Sequence, residues 1–136
     1  MMNKISIGVF AAMLMAGPAA AQSFKATNGV IVRPAGNGFS VTGDGGFGAR
    51  GIWCAAADYA LRNERARNAQ RLYISKPRKP GLGQRDPITF TLNPQGLTPV
   101  SASILGASLR QKGANLSVGH AIGFCADHKL TRGGRG

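Results

Sequence analysis

The conventional acid–base groups of this chain are two histidines and five carboxylates. His120, Asp127 and His128 stand close together in sequence, so a hydrolytic centre would belong around His120 and Asp127. A general base there needs hydrogen-bond reach to its target and a partner that orients it. His120 alternates with apolar residues, which reads as a histidine packed at the core or edge of a strand. No G-x-S-x-G elbow accompanies it, and no serine has a context that would activate a nucleophile. Asp58 and Glu64 are too far apart around a helix, at roughly 120°, to work as paired carboxylates. Asp58 stands four residues before Arg62, the spacing of a helical surface ion pair.

Cys54 and Cys125 could be ligands or a disulfide, and the start of the chain decides between these readings. Lys4 precedes an apolar run from Ile5 to Met15, Ala16-Gly17-Pro18 breaks it, and Ala19-Ala20-Ala21 offers small residues for a cut before Gln22. This is the layout of a secretory signal over residues 1–21, and the run is too short to span a bilayer. Arg110 and Lys112 interrupt the only other long, weakly polar region, so no transmembrane segment is expected after signal removal. An exported protein, periplasmic or secreted, works where cysteines pair. A Cys54–Cys125 bond would close a loop of roughly 70 residues, worth about 4 kcal/mol by chain entropy. With both sulfurs oxidised, too few ligands remain for a zinc site, which takes three or four. No metal and no cofactor is expected.

Gly43-Asp44-Gly45-Gly46-Phe47-Gly48 satisfies G-x-G-x-x-G, and Gly46 to Gly51 satisfies it again. Between a strand and a helix, such glycines can bring backbone amides to a pyrophosphate. Ser75 and Lys76 occupy the end of the next strand, where a ribose-binding acid would stand, and the other strands read as antiparallel. The stretch is therefore expected to be a connector, with anion capture at the helix start beside Arg50 as the functional alternative.

The formal net charge is +12, and about +11 once Lys4 leaves with the signal. Such a field favours anionic partners. Arg62, Arg65, Arg67 and Arg71 come from the helix end and the turn after it. Lys76, Arg78, Lys79 and Arg85 crowd a loop rich in proline and glycine, and Lys129, Arg132 and Arg135 mark the tail. Arginine grips phosphate or carboxylate through two hydrogen bonds. Tyr73 alone stands among these charges to stack on bases, so nucleic acid is not the expected partner.

These residues need elements to hold them. Val30–Val32 and Phe39–Val41 read as strands around a Pro34–Gly38 turn. Residues 50–67 predict the main helix, with Trp53, Ala56, Ala57, Ala60 and Leu61 on one stripe and Asp58, Arg62 and Arg65 opposite. Arg71–Ser75 and Ile88–Leu92 read as strands, the second with Ile88, Phe90 and Leu92 facing the core. Residues 101–110 fit either strand or helix. Leu116, Val118, His120, Ile122 and Phe124 alternate with small residues, predicting a long last strand after a hairpin turn at Lys112–Asn115. Cys125 falls on its small face, where a helix carrying Cys54 would fit.

The expected fold is a single α+β domain over residues 22–129, with a disordered basic tail from Leu130 to Gly136. One main helix packs on a mostly antiparallel sheet of five or six strands and is tied to the last strand by the disulfide. The expected function is non-catalytic binding of an anionic partner by the cationic residues named above. That partner would be lipopolysaccharide, phospholipid headgroups, an acidic polymer or an acidic protein. The alternatives are a small exported hydrolase around His120 and Asp127, or a structural or assembly component of the envelope.

Overall fold

A computed structural model of the chain describes Gly8, residues 22–79 and residues 86–133, with the backbone alone for 131–133. The rest of the predicted signal, Arg85 and residues 134–136 lie outside the described residues. The chain opens with β1 (Phe24–Lys25), β2 (Ile31–Ala35) and β3 (Gly38–Thr42). Ala35 pairs with Gly38 across a two-residue loop in which Gly36 takes a φ of 56°, a conformation L side chains avoid. A glycine-rich connector leads to α1 (Gly48–Asn63), followed by β4 (Arg71–Lys76), β5 (Ile88–Thr91) and β6 (Val100–Ser101). The chain then forms α2 (Leu105–Ser108), β7 (Ala114–Ser117), α3 (Val118–Gly123) and α4 (Ala126–Gly133).

The α+β class holds, with one seven-stranded sheet in the order β1-β2-β3-β5-β4-β7-β6. All neighbours are antiparallel except β6 and β7. The strands beyond the expected five or six are β1 and β6, whose two residues each are too short to show a period.

Helix α1 is buried along every residue from Gly51 to Ala60, rather than along one stripe. Sheet strands cover one side of it and α3 covers another. Its small side chains allow this, since an apolar helix packed all round belongs in an interior. Gly51 shows how close the approach is: a Cβ there would meet the Asp44 carbonyl oxygen at 2.1 Å. Trp53 is fully buried, edge-on to Phe90 at 5.0 Å between centroids, and donates from Nε1 to Ser108 Oγ at 3.0 Å. That bond satisfies the one polar atom of the indole.

The last third departs from the expected long strand. Strand β7 stops at Ser117, whose hydroxyl accepts from the His120 backbone N–H at 3.1 Å and caps α3. Buried Val118, Ala121 and Cys125 follow helical spacing, and that period prevails over the alternation of bulky and small residues. The expected hairpin at Lys112–Asn115 is also replaced, because α2 leads into β7 and the strand beside it, β6, runs parallel. Cys54 and Cys125 do bond, but Cys125 lies at the junction of α3 and α4. The disulfide therefore ties α1 to the C-terminal helices and not to a strand. Helix α4 continues to Gly133, into the segment expected to be a disordered tail.

Candidate anion-binding site

Tertiary structure sorts the candidate cations into paired and unpaired groups. Arg50, in the first turn of α1, donates from Nε and Nη2 to both carboxylate oxygens of Asp127, at 2.6 and 3.0 Å. Its guanidinium also lies 4.6 Å from the Phe124 ring centroid. The hydrogen bonds, more than the bare charge, hold Asp127 below the usual carboxylate range and Arg50 above the usual arginine value, with burial opposing both shifts. The anion that Arg50 holds is thus the protein's own.

Arg62 makes the expected pair with Asp58, at 2.8 and 2.6 Å, and lies 4.6 Å from the Phe24 ring centroid. The hydrogen bonds to Asp58 raise its basicity. Asp58 is not the solvated residue that the helical pattern predicts. It is only 7% exposed and accepts from the Thr27 backbone N–H at 2.7 Å. It fastens the start of the domain to α1, because a buried carboxylate requires several donors. A cavity of about 590 Å³ opens beside this pair, with Lys25, Lys129 and Cys125 in its wall.

Strand β4 separates the remaining cations. Six strand residues place Arg71 and Lys76 about 17 Å apart. At the first end, exposed Arg65 and Arg67 have no ion pair among the described residues, while Arg71 donates twice to Asn115 Oδ1, at 2.9 and 2.7 Å. At the other end stand Lys76, Arg78 and Lys79. The Arg78 backbone N–H donates to the Leu109 carbonyl at 2.8 Å, which brings the segment carrying Arg110 and Lys112 alongside. The sequence patterns do not single out those two cations, which join the cluster only through this long-range contact. None of these five is ion-paired among the described residues. Arg78 Nε is buried and has no hydrogen-bond partner among the described residues. Asp86, just ahead of β5, is the carboxylate at this end.

Next to Lys76, β4 and β5 change register. Ile74 faces Phe90 and Lys76 faces Thr89, leaving Ser75 as the extra residue of a β-bulge. Ser75 Oγ donates to the Thr89 carbonyl at 3.2 Å. An open cavity of about 400 Å³ lies here, bordered by the β2–β3 turn, the ends of β4 and β5 and the loop after β5. Gly38 at its edge cannot carry a side chain, since a Cβ would fall 1.9 Å from the Phe90 carbonyl oxygen.

The other constellations are not assembled into reactive sites. His120 is exposed on α3, with its ring 5.3 Å from that of Phe124, and it lines neither cavity above. Asp127 is bonded to Arg50 instead. The glycine-rich stretch is a tight connector: Gly43, Gly45, Gly46 and Gly48 have positive φ, and Asp44 accepts from the Gly46 N–H at 2.8 Å. Its preceding strand, β3, has only antiparallel neighbours, unlike a dinucleotide-binding unit. Among the described residues, no three His, Cys, Asp or Glu side chains cluster to hold a metal, and no helix is long and apolar enough to cross a membrane. No family model, curated protein or solved structure matches the chain.

Proposed function

We propose that this is an exported, strongly basic, non-catalytic protein that binds a polyanion of the cell envelope through the end of β4. The observation that carries the reading is the cluster of Lys76, Arg78, Lys79, Arg110 and Lys112, which has no ion pair among the described residues. Arg65, Arg67 and Arg71 form a second, weaker footing at the far end of the strand, and Arg50 and Arg62 serve the fold. Two basic footings about 17 Å apart suit a partner with repeated charges better than a single small anion. The disulfide supports the exported location, because such bonds persist in oxidising compartments.

The test is retention on immobilised heparin and on vesicles containing phosphatidylglycerol, eluted with increasing salt. Binding at low salt that falls steeply toward 1 M is expected, as exposed charges are screened within about 3 Å there. Replacing Lys76, Arg78, Lys79, Arg110 and Lys112 with Gln should move elution to markedly lower salt. Absence of retention on both supports at low salt removes the reading.

A further inference from the structure

The cavity beside Lys76 differs from an ordinary ligand pocket in what lines it. Pockets of this kind run about 300–1,000 Å³ and are mostly apolar, with a few polar groups for orientation. This one, at about 400 Å³, has only Ala35 and Leu97 as apolar side chains. Among the described lining residues the other side chains are hydroxyls and amides, with Lys76 the one charge and no carboxylate. Several of these groups have capacity to spare. Ser75 Oγ uses its proton on Thr89 and keeps its lone pairs. Asn93 Oδ1 accepts from the Gln95 N–H at 3.0 Å, while the Asn93 amide hydrogens have no partner among the described residues. Lys76 likewise has no ion pair among the described residues.

A wall of hydroxyls and amides matches a ligand that alternates donors and acceptors over its whole surface, which describes a sugar ring. The single ammonium sets the ligand's charge. A carboxylate, with one negative charge, matches that ammonium one to one. The β-bulge at Ser75 adds an independent indication, because bulges occur beside binding and active sites, where they redirect side chains.

We infer that this cavity binds one uronic acid residue, its carboxylate on Lys76 and its hydroxyls on Ser75, Thr89 and Asn93. The inference rests on the polyanion reading only in its use of Lys76, and it narrows the partner to an acidic polysaccharide.

The experiment titrates the ¹⁵N-labelled full chain with D-glucuronate, D-galacturonate, D-glucose, acetate and glucose 6-phosphate, following backbone amides by NMR. At least one uronate should shift the amides of Ser75, Lys76, Thr89 and Asn93 together, with glucose and acetate at least tenfold weaker. Lys76→Met, which keeps the aliphatic stem, should weaken the uronate at least tenfold, and Thr89→Val should weaken it several-fold. Equal binding of acetate, tighter binding of glucose 6-phosphate, or undiminished uronate binding by Lys76→Met overturns the assignment. Heparin retention of the same samples separates the two ideas. Retention without uronate shifts leaves the polyanion reading standing and removes this one. Uronate shifts without retention on either heparin or the vesicles do the reverse.

Discussion

The two ends of α1 and the far end of β4 treat charge in opposite ways. Around α1, each arginine is matched: Arg50 with Asp127 and Arg62 with Asp58, each through two hydrogen bonds and beside an aromatic ring. At the end of β4, five cations gather without an ion pair among the described residues, and one buried arginine nitrogen lacks a partner there. Two of the five acidic residues serve the first region. In a chain so poor in carboxylates, their placement shows where charge holds the fold together and where it remains available. Counting basic residues in sequence cannot separate those two uses.

Breaking the covalent tie of the first region should have the largest effect. Cys54→Ser with Cys125→Ser opens a loop spanning 71 positions and should cost about 4 kcal/mol by urea denaturation. A cost under 1 kcal/mol would mean that α3 and α4 pack on α1 without help from the bond. Asp58→Asn comes next. It weakens the pair with Arg62 and the acceptor for the Thr27 N–H, and should cost about 1–3 kcal/mol while leaving heparin elution unchanged. A shift in elution with no loss of stability would place Arg62 in the binding surface instead.

The Arg50–Asp127 pair should show a smaller, pH-dependent effect. Asp127 titrates below its ordinary range when folded, so the stability it contributes is fully present above the unfolded aspartate pKa near 4. That contribution is lost as pH falls through the lower folded value. Denaturation midpoints from pH 6 to pH 2 should therefore fall less steeply for Arg50→Gln than for the wild type, and parallel curves would refute the linkage. The smallest stability change belongs to the second region. Arg78→Met removes a buried nitrogen that has no partner among the described residues and should alter stability by no more than about 0.5 kcal/mol, while lowering the salt needed to elute from heparin. A large destabilisation would show that Arg78 is structural, and the contrast between the regions would fail there.

What could be read in the sequence follows the clarity of its periods. Val30–Val32, Phe39–Val41, Arg71–Ser75 and Ile88–Leu92 fall on β2, β3, β4 and β5 to within a residue or three, because turn residues bound each run. The main helix and the disulfide partners were equally legible. Residues 116–125 were not, since alternation and helical spacing both fit, and the capping hydroxyl of Ser117 decides between them. Asp58 looked solvated because nothing in its own helix indicates that the Thr27 amide will be placed against it. The basic end of β4 was visible only in part. Lys76, Arg78 and Lys79 stand together in the chain, but Arg110 and Lys112 arrive through a backbone hydrogen bond from a distant loop. The cavity beside them depends on a register change between two strands, which no single segment encodes.

The position of Cys125 also sets an order of events. Its partner Cys54 sits in the middle of the fold, yet the side of α1 that α3 covers receives its cover only from the final stretch of the chain. A polypeptide emerging N-terminus first presents the sheet strands and α1 well before α3, Cys125 and Asp127. Until those residues arrive, an alanine-rich helix carrying a free thiol at Cys54 has one flank uncovered. Completion of the chain therefore precedes the bond: Cys54 can pair only once Cys125, in the last stretch, has been made.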